Sequence, residues 1–212
     1  MMAGLRTVLR GLNDVRQQGY IYIWANLAFV ALSLPLVTLP AAYAALCKVA
    51  HQTQTEPRSP EPLELFWETF KSLIWTALPW GLAMAGTGFM IASNMLAYAD
   101  VSGVPIQALR MTWLLGLMFW ISVLLFTWPI YYEMAEPTVW GATRNAAVLV
   151  VRNPLFTVAV IVVVLILSVV STLAIVAWLL LSFGAVAAIG SAAVIDRLAA
   201  YRAERGTDAV HS

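Results

Sequence analysis

Charge is scarce in this sequence. Asp, Glu, Lys and Arg make up 11% of its 212 residues, where an ordinary soluble domain carries about a quarter. Twelve Lys and Arg nearly balance eleven Asp and Glu, so there is no basic field for nucleic acid and no acidic tail. Cys47 is the only cysteine, which excludes an internal disulfide and a cysteine-based metal framework. Histidine is limited to His51 and His211. Neither has the acidic neighbour of a catalytic triad or a partner at metal-ligand spacing. No glycine-rich phosphate cradle is present. A non-enzymatic chain without a cofactor is the expectation.

What the sequence has in abundance is apolar surface, with 61% hydrophobic residues. No charged residue occurs in 17–47, 72–99, 111–132 or 153–195, which hold 31, 28, 22 and 43 residues. A hydrocarbon core about 30 Å thick needs roughly 20 helical residues. The second and third runs therefore each predict one span, over 73–98 and 111–132. The fourth would be about 64 Å long as one helix, so it must fold back within 174–182 into spans over 154–174 and 179–196. Trp178 falls at that turn, where a headgroup-level tryptophan fits.

The first run is ambiguous, because Pro35 and Pro40 each remove a backbone donor. Residues 20–50 form either a kinked single crossing or a hairpin that returns to its starting side. The loop cations discriminate between the two. A single crossing divides Lys and Arg four against eight between the two sides, whereas a returning hairpin divides them eleven against one. The second arrangement places both termini in the cytoplasm and only 99–110 and the 174–182 turn outside. Each hairpin leg has about 15 residues, short for a full crossing, which favours a re-entrant form. The expected fold is an all-α membrane protein, a polytopic bundle of four full spans plus this proline-broken element. That makes five to six membrane segments in one domain.

Two amphipathic helices are expected at the membrane surface. In 1–19, Leu5, Val8, Leu9, Leu12 and Val15 lie at helical spacing with Arg6, Arg10, Asp14 and Arg16 elsewhere, as in an interfacial helix whose cations meet anionic headgroups. The n-region of a secretory signal with Ala42–Ala44 as its cleavage site is the competing reading of this end. In 51–72, a polar proline-containing loop over 52–62 leads into a helix. Leu63, Phe66, Trp67 and Phe70 lie on one face of that helix, with Glu64, Glu68 and Lys71 on the other. That face suits lipid or a partner protein equally. Asn153 and Pro154 read as an N-cap and first helical residue. Glu133 and Glu136 read as solvated loop carboxylates, and 197–212 as a fraying cytoplasmic tail.

No ionisable group lies well inside a span, which argues against a proton-driven carrier. The embedded polar residues that stand out are Asn26 and Asn94, candidates for solute contact or interhelical bonding. With them stands the Pro35/Thr38/Pro40 break, which is either a structural corner or the floor of a site. Gly184, Ala188 and Ala192, at four-residue spacing, offer close packing inside the bundle or self-association. Gly81, Ala85 and Gly88 offer the same. Most of the tryptophans and tyrosines lie near span ends, where aromatic belts form.

The run over 32–46, with Leu34-Pro35-Leu36-Val37-Thr38-Leu39-Pro40 at its centre, is the most specific motif. Together with Leu65-Phe66-Trp67, Trp128-Pro129 and Thr143-Arg144-Asn145-Ala146, it resembles the YesL-like family of bacterial membrane proteins. That family is itself of unknown function. The resemblance implies a bacterial cytoplasmic membrane and, since members are often encoded beside carbohydrate ABC transporters, an accessory role in sugar uptake with a transporter subunit as partner. A small carrier or channel for a neutral solute is the alternative.

Overall fold

A computed structural model describes residues 2–56, 61–173 and 178–210. Among the described residues there are eight α-helices and no strands. They are α1 (Met2–Gln17), α2 (Gly19–Ser33), α3 (Leu39–Thr55), α4 (Pro62–Ala97), α5 (Val104–Glu133), α6 (Val139–Arg152), α7 (Pro154–Leu173) and α8 (Phe183–Val210). A 3-10 turn over Leu36–Thr38 precedes α3, and a π-helical turn over Trp178–Ser182 precedes α8. Four helical stretches are long and apolar enough to cross a membrane: Pro62–Ala97, Val104–Glu133, Pro154–Thr172 and Leu180–Ala203. Apolar side chains cover their outer surfaces. On α4, Trp75, Leu82, Phe89 and Leu96 recur every seven residues and are all strongly exposed. A continuous apolar face of this kind belongs against lipid. The chain is an all-α polytopic membrane protein.

Residues 20–50 fold back on themselves. The Tyr22 hydroxyl near the start of α2 lies 2.9 Å from Thr53 Oγ1 near the end of α3, so the two helices run antiparallel and their open ends meet. The hairpin tip stops beside the middle of α4. Pro40 packs on Gly81, where a Cβ would come 2.7 Å from Pro40 Cβ. From Gly81 to Ala97, α4 continues for another sixteen residues, about 24 Å. The tip residues Leu34, Leu36 and Val37 are 80%, 77% and 65% exposed. Apolar side chains displayed at the mid-level of a spanning helix fit a turn made within hydrocarbon, the re-entrant form.

Helix α3 is the centre of the bundle. Ala41, Ala42, Ala44, Ala45 and Ala50 are essentially inaccessible, and their small side chains let α2, α4, α5 and α8 pack closely around it. Two apolar clusters make up the core. One gathers around α3 with α2 and the first half of α4, and the other gathers α5 to α8. Leu12, Tyr131 and Leu167 pack against both.

Several boundaries differ from the sequence expectation, each for a physical reason. Helix α3 continues through Thr55, so His51 and Gln52–Thr55 are helical and not part of a loop. The amphipathic stretch over 63–71 is not a separate interfacial helix. It is the beginning of a single 36-residue helix, with Pro62 in its first turn and Pro79 in its interior. Residues 139–152 are helical because Val139, Ala142, Ala146, Leu149 and Val150 share one buried face. The fold-back falls in part on 174–177, which lie outside the described residues. So does the side chain of Trp178. The segment after Asp196 is helical, with α8 running on to Val210. Its first turns are held by Asp196 paired with Arg10 and by Arg197 over the Phe156 ring at 3.9 Å.

Helix α1 packs into the bundle on a face of small residues. Gly4, Thr7, Val8, Gly11 and Val15 are buried, while Leu5 and Leu9 are exposed. The inward face is the small one because α1 crosses α8 backbone to backbone: a Cβ on Gly11 would stand 2.9 Å from Ile189 Cα. Gly184, Ala188 and Ala192 are likewise occupied within the chain. Gly184 lies against Tyr22, the Ala188 carbonyl accepts from Gln54, and Ala192 is fully buried. That stripe therefore presents no surface for self-association.

Replacing Gly81 by Ala should force Pro40 off α4 and lower the thermal unfolding midpoint in detergent, at a cost of about 1–3 kcal/mol. Gly116→Ala, where a Cβ meets nothing within 4 Å, should be neutral or stabilising, by up to about 1 kcal/mol. Equal midpoints for the two variants would contradict the docking of the hairpin on α4.

Candidate functional site: a polar hub and an apolar cavity

The hairpin tip depends on one hydroxyl. Pro35 and Pro40 interrupt the backbone ladder, and the freed groups must find partners because hydrocarbon supplies none. Thr38 Oγ1 donates to the Leu32 carbonyl and lies 3.3 Å from that of Pro35. The Thr38 N–H bonds the Pro35 carbonyl at 2.9 Å, and Ser33 Oγ donates to Phe29 at 2.7 Å. Of the three predicted residues here, Pro35 is exposed at the tip, Thr38 ties the turn together, and Pro40 is buried against Gly81.

Asn26 is fully buried, and its Oδ1 accepts the Gly184 N–H at 2.9 Å. That donor sits where the π-helical turn gives way to α8, a junction at which backbone pairing changes register. Asn94 is partly exposed, and its Nδ2 donates to Met90 one turn back on its own helix. The two asparagines are thus engaged separately, one between helices and one within its own, and do not form a common site.

The end of α3 forms a hub that the sequence did not reveal. Within four residues it reaches four neighbours, α1, α2, α5 and α8. His51 Nε2 lies 3.1 Å from Glu133 Oε1 at the end of α5. Thr53 Oγ1 is 3.1 Å from Asp14 of α1, which also accepts from the Tyr22 hydroxyl of α2. Gln54 Nε2 donates to the Ala188 carbonyl of α8 at 2.9 Å. The network continues outward, since Arg202 donates to Glu133 at 2.9 Å. Asp196 accepts from Thr7 at 2.7 Å and from Arg10 at 2.5 Å. Glu133 is therefore not a solvated loop carboxylate: its side chain is 14% exposed. Asn153 begins α7 as expected, but its side chain does not cap that helix. It donates to Tyr201 at 2.5 Å and to Leu149 at 3.2 Å. Charged residues at the ends of apolar runs were the available signal, but the pairings join residues up to 189 positions apart.

At the opposite end, the single cation of the 99–110 segment has a structural partner. Arg110 donates to the carbonyls of Tyr98 at 3.0 Å and Val101 at 2.7 Å, and also to that of Ala99. These are carbonyls at and just beyond the C-terminus of α4, where a cation is favoured.

Between the hub and the far end lies a cavity of about 420 Å³. Its walls come from Phe29, Pro40 and Tyr43 of the hairpin, Trp80 and Met84 of α4, and Trp120 of α5, with α7 and α8 closing the back. The two indole N–H groups are engaged elsewhere. Trp80 Nε1 donates to Thr143 at 3.0 Å, and Trp120 Nε1 donates to the Met84 carbonyl at 3.1 Å. Its size is that of pockets that hold small molecules, and its lining is almost wholly apolar. Among the described residues no His, Cys, Asp and Glu groups cluster as metal ligands do.

Burial of His51 lowers its pKa below the ordinary 6.5, with Glu133 opposing the shift. The folded chain then binds this proton less readily than the unfolded chain. Stability should be full above pH 6.5 and fall as pH drops from there toward the lowered folded value. Thermal midpoints in detergent at pH 8 and pH 5.5 would measure this, and His51→Gln should flatten the difference. Thr38→Val keeps the shape of the tip but leaves the Leu32 carbonyl without its donor, costing about 1–3 kcal/mol. Thr38→Ser should recover most of that loss.

No curated protein and no solved structure matches the chain. A family model described as "Protein of unknown function, DUF624" matches residues 22–95. This stretch is the segment that carries the hairpin, the first half of the hub and α4. Over these residues the chain is similar to an uncharacterised family, consistent with a YesL-like membrane protein.

Proposed function

We propose that this protein is a non-enzymatic accessory subunit of the bacterial cytoplasmic membrane. It packs against the membrane component of a carbohydrate-uptake system, with both of its own termini in the cytoplasm. The observation that carries this reading is how the embedded polar groups are used. Asn26, Thr38, Trp80 and Trp120 all bond within the chain, and none is directed at a polar solute. The lipid-facing stripes of α4 and α7 leave broad apolar surface for a lateral partner. The carbohydrate association itself comes from the family resemblance. The orientation follows from the loop cations, eleven against one. The one exception, Arg110, is engaged by carbonyls at the end of α4. A carrier or channel for a neutral solute is the second reading. The cavity favours it, though only for an apolar solute.

Two measurements test these readings. Single cysteines replacing the exposed Ala3, Thr55, Ser102 and Glu136 can be labelled in intact cells with an impermeant maleimide, while the buried Cys47 stays silent. Ser102→Cys alone should react from outside, and reaction of Ala3→Cys there would overturn the orientation. Crosslinking in native membranes should retain the membrane subunit of a sugar transporter. Unchanged sugar uptake in cells lacking this protein, together with no such crosslink, would overturn the accessory role. Flux of an apolar solute into proteoliposomes above that of empty vesicles would favour the second reading.

A further inference from the structure

The cavity lies at a particular depth. Its residues on α4 (Trp80 to Ala85), α5 (Trp120 to Leu125) and α7 (Val164) fall near the middle of Pro62–Ala97, Val104–Glu133 and Pro154–Leu173. Three helices able to cross the bilayer thus place their midpoints around one space, which sits at the level of the hydrocarbon core. Two of its lining residues, Leu39 at the hairpin tip and Ala85 on α4, are also exposed on the outer surface. The mouth therefore opens sideways, between the tip and α4, and not toward either end of the bundle.

The lining sets the chemistry of what enters. With both indole N–H groups bonded elsewhere, Trp80 and Trp120 offer carbon surface, and Met84, Leu124, Val164 and Phe183 offer nothing else. Water gains little from such walls, because apolar cavities of this kind stay dry. An empty space of about 420 Å³ would leave its lining without dispersion partners. A neighbouring cavity of about 330 Å³ shares Val164, Phe183 and Val186 with it.

We infer that this cavity is a binding site for one hydrocarbon chain of a membrane phospholipid, which enters between the hairpin tip and α4 and lies along Trp80, Met84 and Trp120. The lipid's headgroup stays outside, since the walls offer it no polar contact. The site follows from the hairpin ending at mid-depth. A hairpin crossing fully would fill the space that the chain occupies.

Delipidated full-length protein in detergent is titrated with dioleoyl phosphatidylglycerol, or with dihexanoyl phosphatidylglycerol, which has the same headgroup on short chains. The thermal midpoint should rise with the long-chain lipid, saturate near one lipid per protein, and stay flat with the short-chain lipid. Native mass spectrometry should show the same single adduct. Ala85→Trp, which closes the mouth, should weaken retention by about tenfold or more, equivalent to at least about 1.4 kcal/mol. Leu82→Trp, on the exposed stripe of α4 and outside the lining, should retain lipid as the wild type does. Oleic acid alone binding with the same stoichiometry would support the site and identify a free fatty acid as a second source of the chain. Equal stabilisation by dihexanoyl phosphatidylglycerol would overturn the inference by assigning binding to the headgroup. So would wild-type protein that retains no lipid, which needs no variant to fold.

Discussion

A turn broken by two prolines must pair its own freed polar groups, and the rest of this molecule is arranged around that requirement. Pro35 and Pro40 make the turn between α2 and α3 unavoidable, and Thr38 supplies the hydrogen bond that makes it tolerable at depth. Once the chain turns there, α3 must return beside α2 through the middle of the bundle. Its alanines and the absence of a side chain on Gly81 let the neighbouring helices approach closely enough to enclose it. The hairpin then ends beside the midpoint of α4, and the spanning helices continue past it.

The two ends of the hairpin have opposite character. At its open end, the polar residues of α3 bind α1, α2, α5 and α8 through His51, Thr53 and Gln54, with Glu133 held on two sides. At its closed end, the surroundings are apolar and line the cavity of about 420 Å³. The same short element thus contributes to a polar clasp at one end and to an apolar space at the other. The match to a family of unknown function covers most of this element and α4, residues 22–95.

Much of the architecture is legible from the charge-free runs, because removing a charge from water into lipid is costly enough to leave a clear record in composition. The four spans, the fold-back of the last long run and the break at Pro35–Pro40 all follow from it. What was misread lies where an apolar pattern has more than one partner available. The pattern of Leu5 and Leu9 gives an interfacial face for α1, yet Gly4 against α7 and Gly11 against α8 are the residues that dock it on the bundle. Residues 139–152, between two expected spans, form α6 because Val139, Ala142, Ala146, Leu149 and Val150 find one buried face in the bundle.

The sequence by itself determined the solvent of this protein, the number of long helices and the position of the turn, since each depends on local composition and backbone chemistry. Only the tertiary structure decided that the first apolar run folds back on itself as an antiparallel helix pair. It also decided that Glu133 and Asp196 are clasped by residues from distant helices, and that the Gly184, Ala188 and Ala192 stripe is used internally. Those outcomes depend on which helix faces meet, and that is set by packing between segments far apart in the chain. A one-dimensional pattern of hydrophobicity constrains such contacts only weakly.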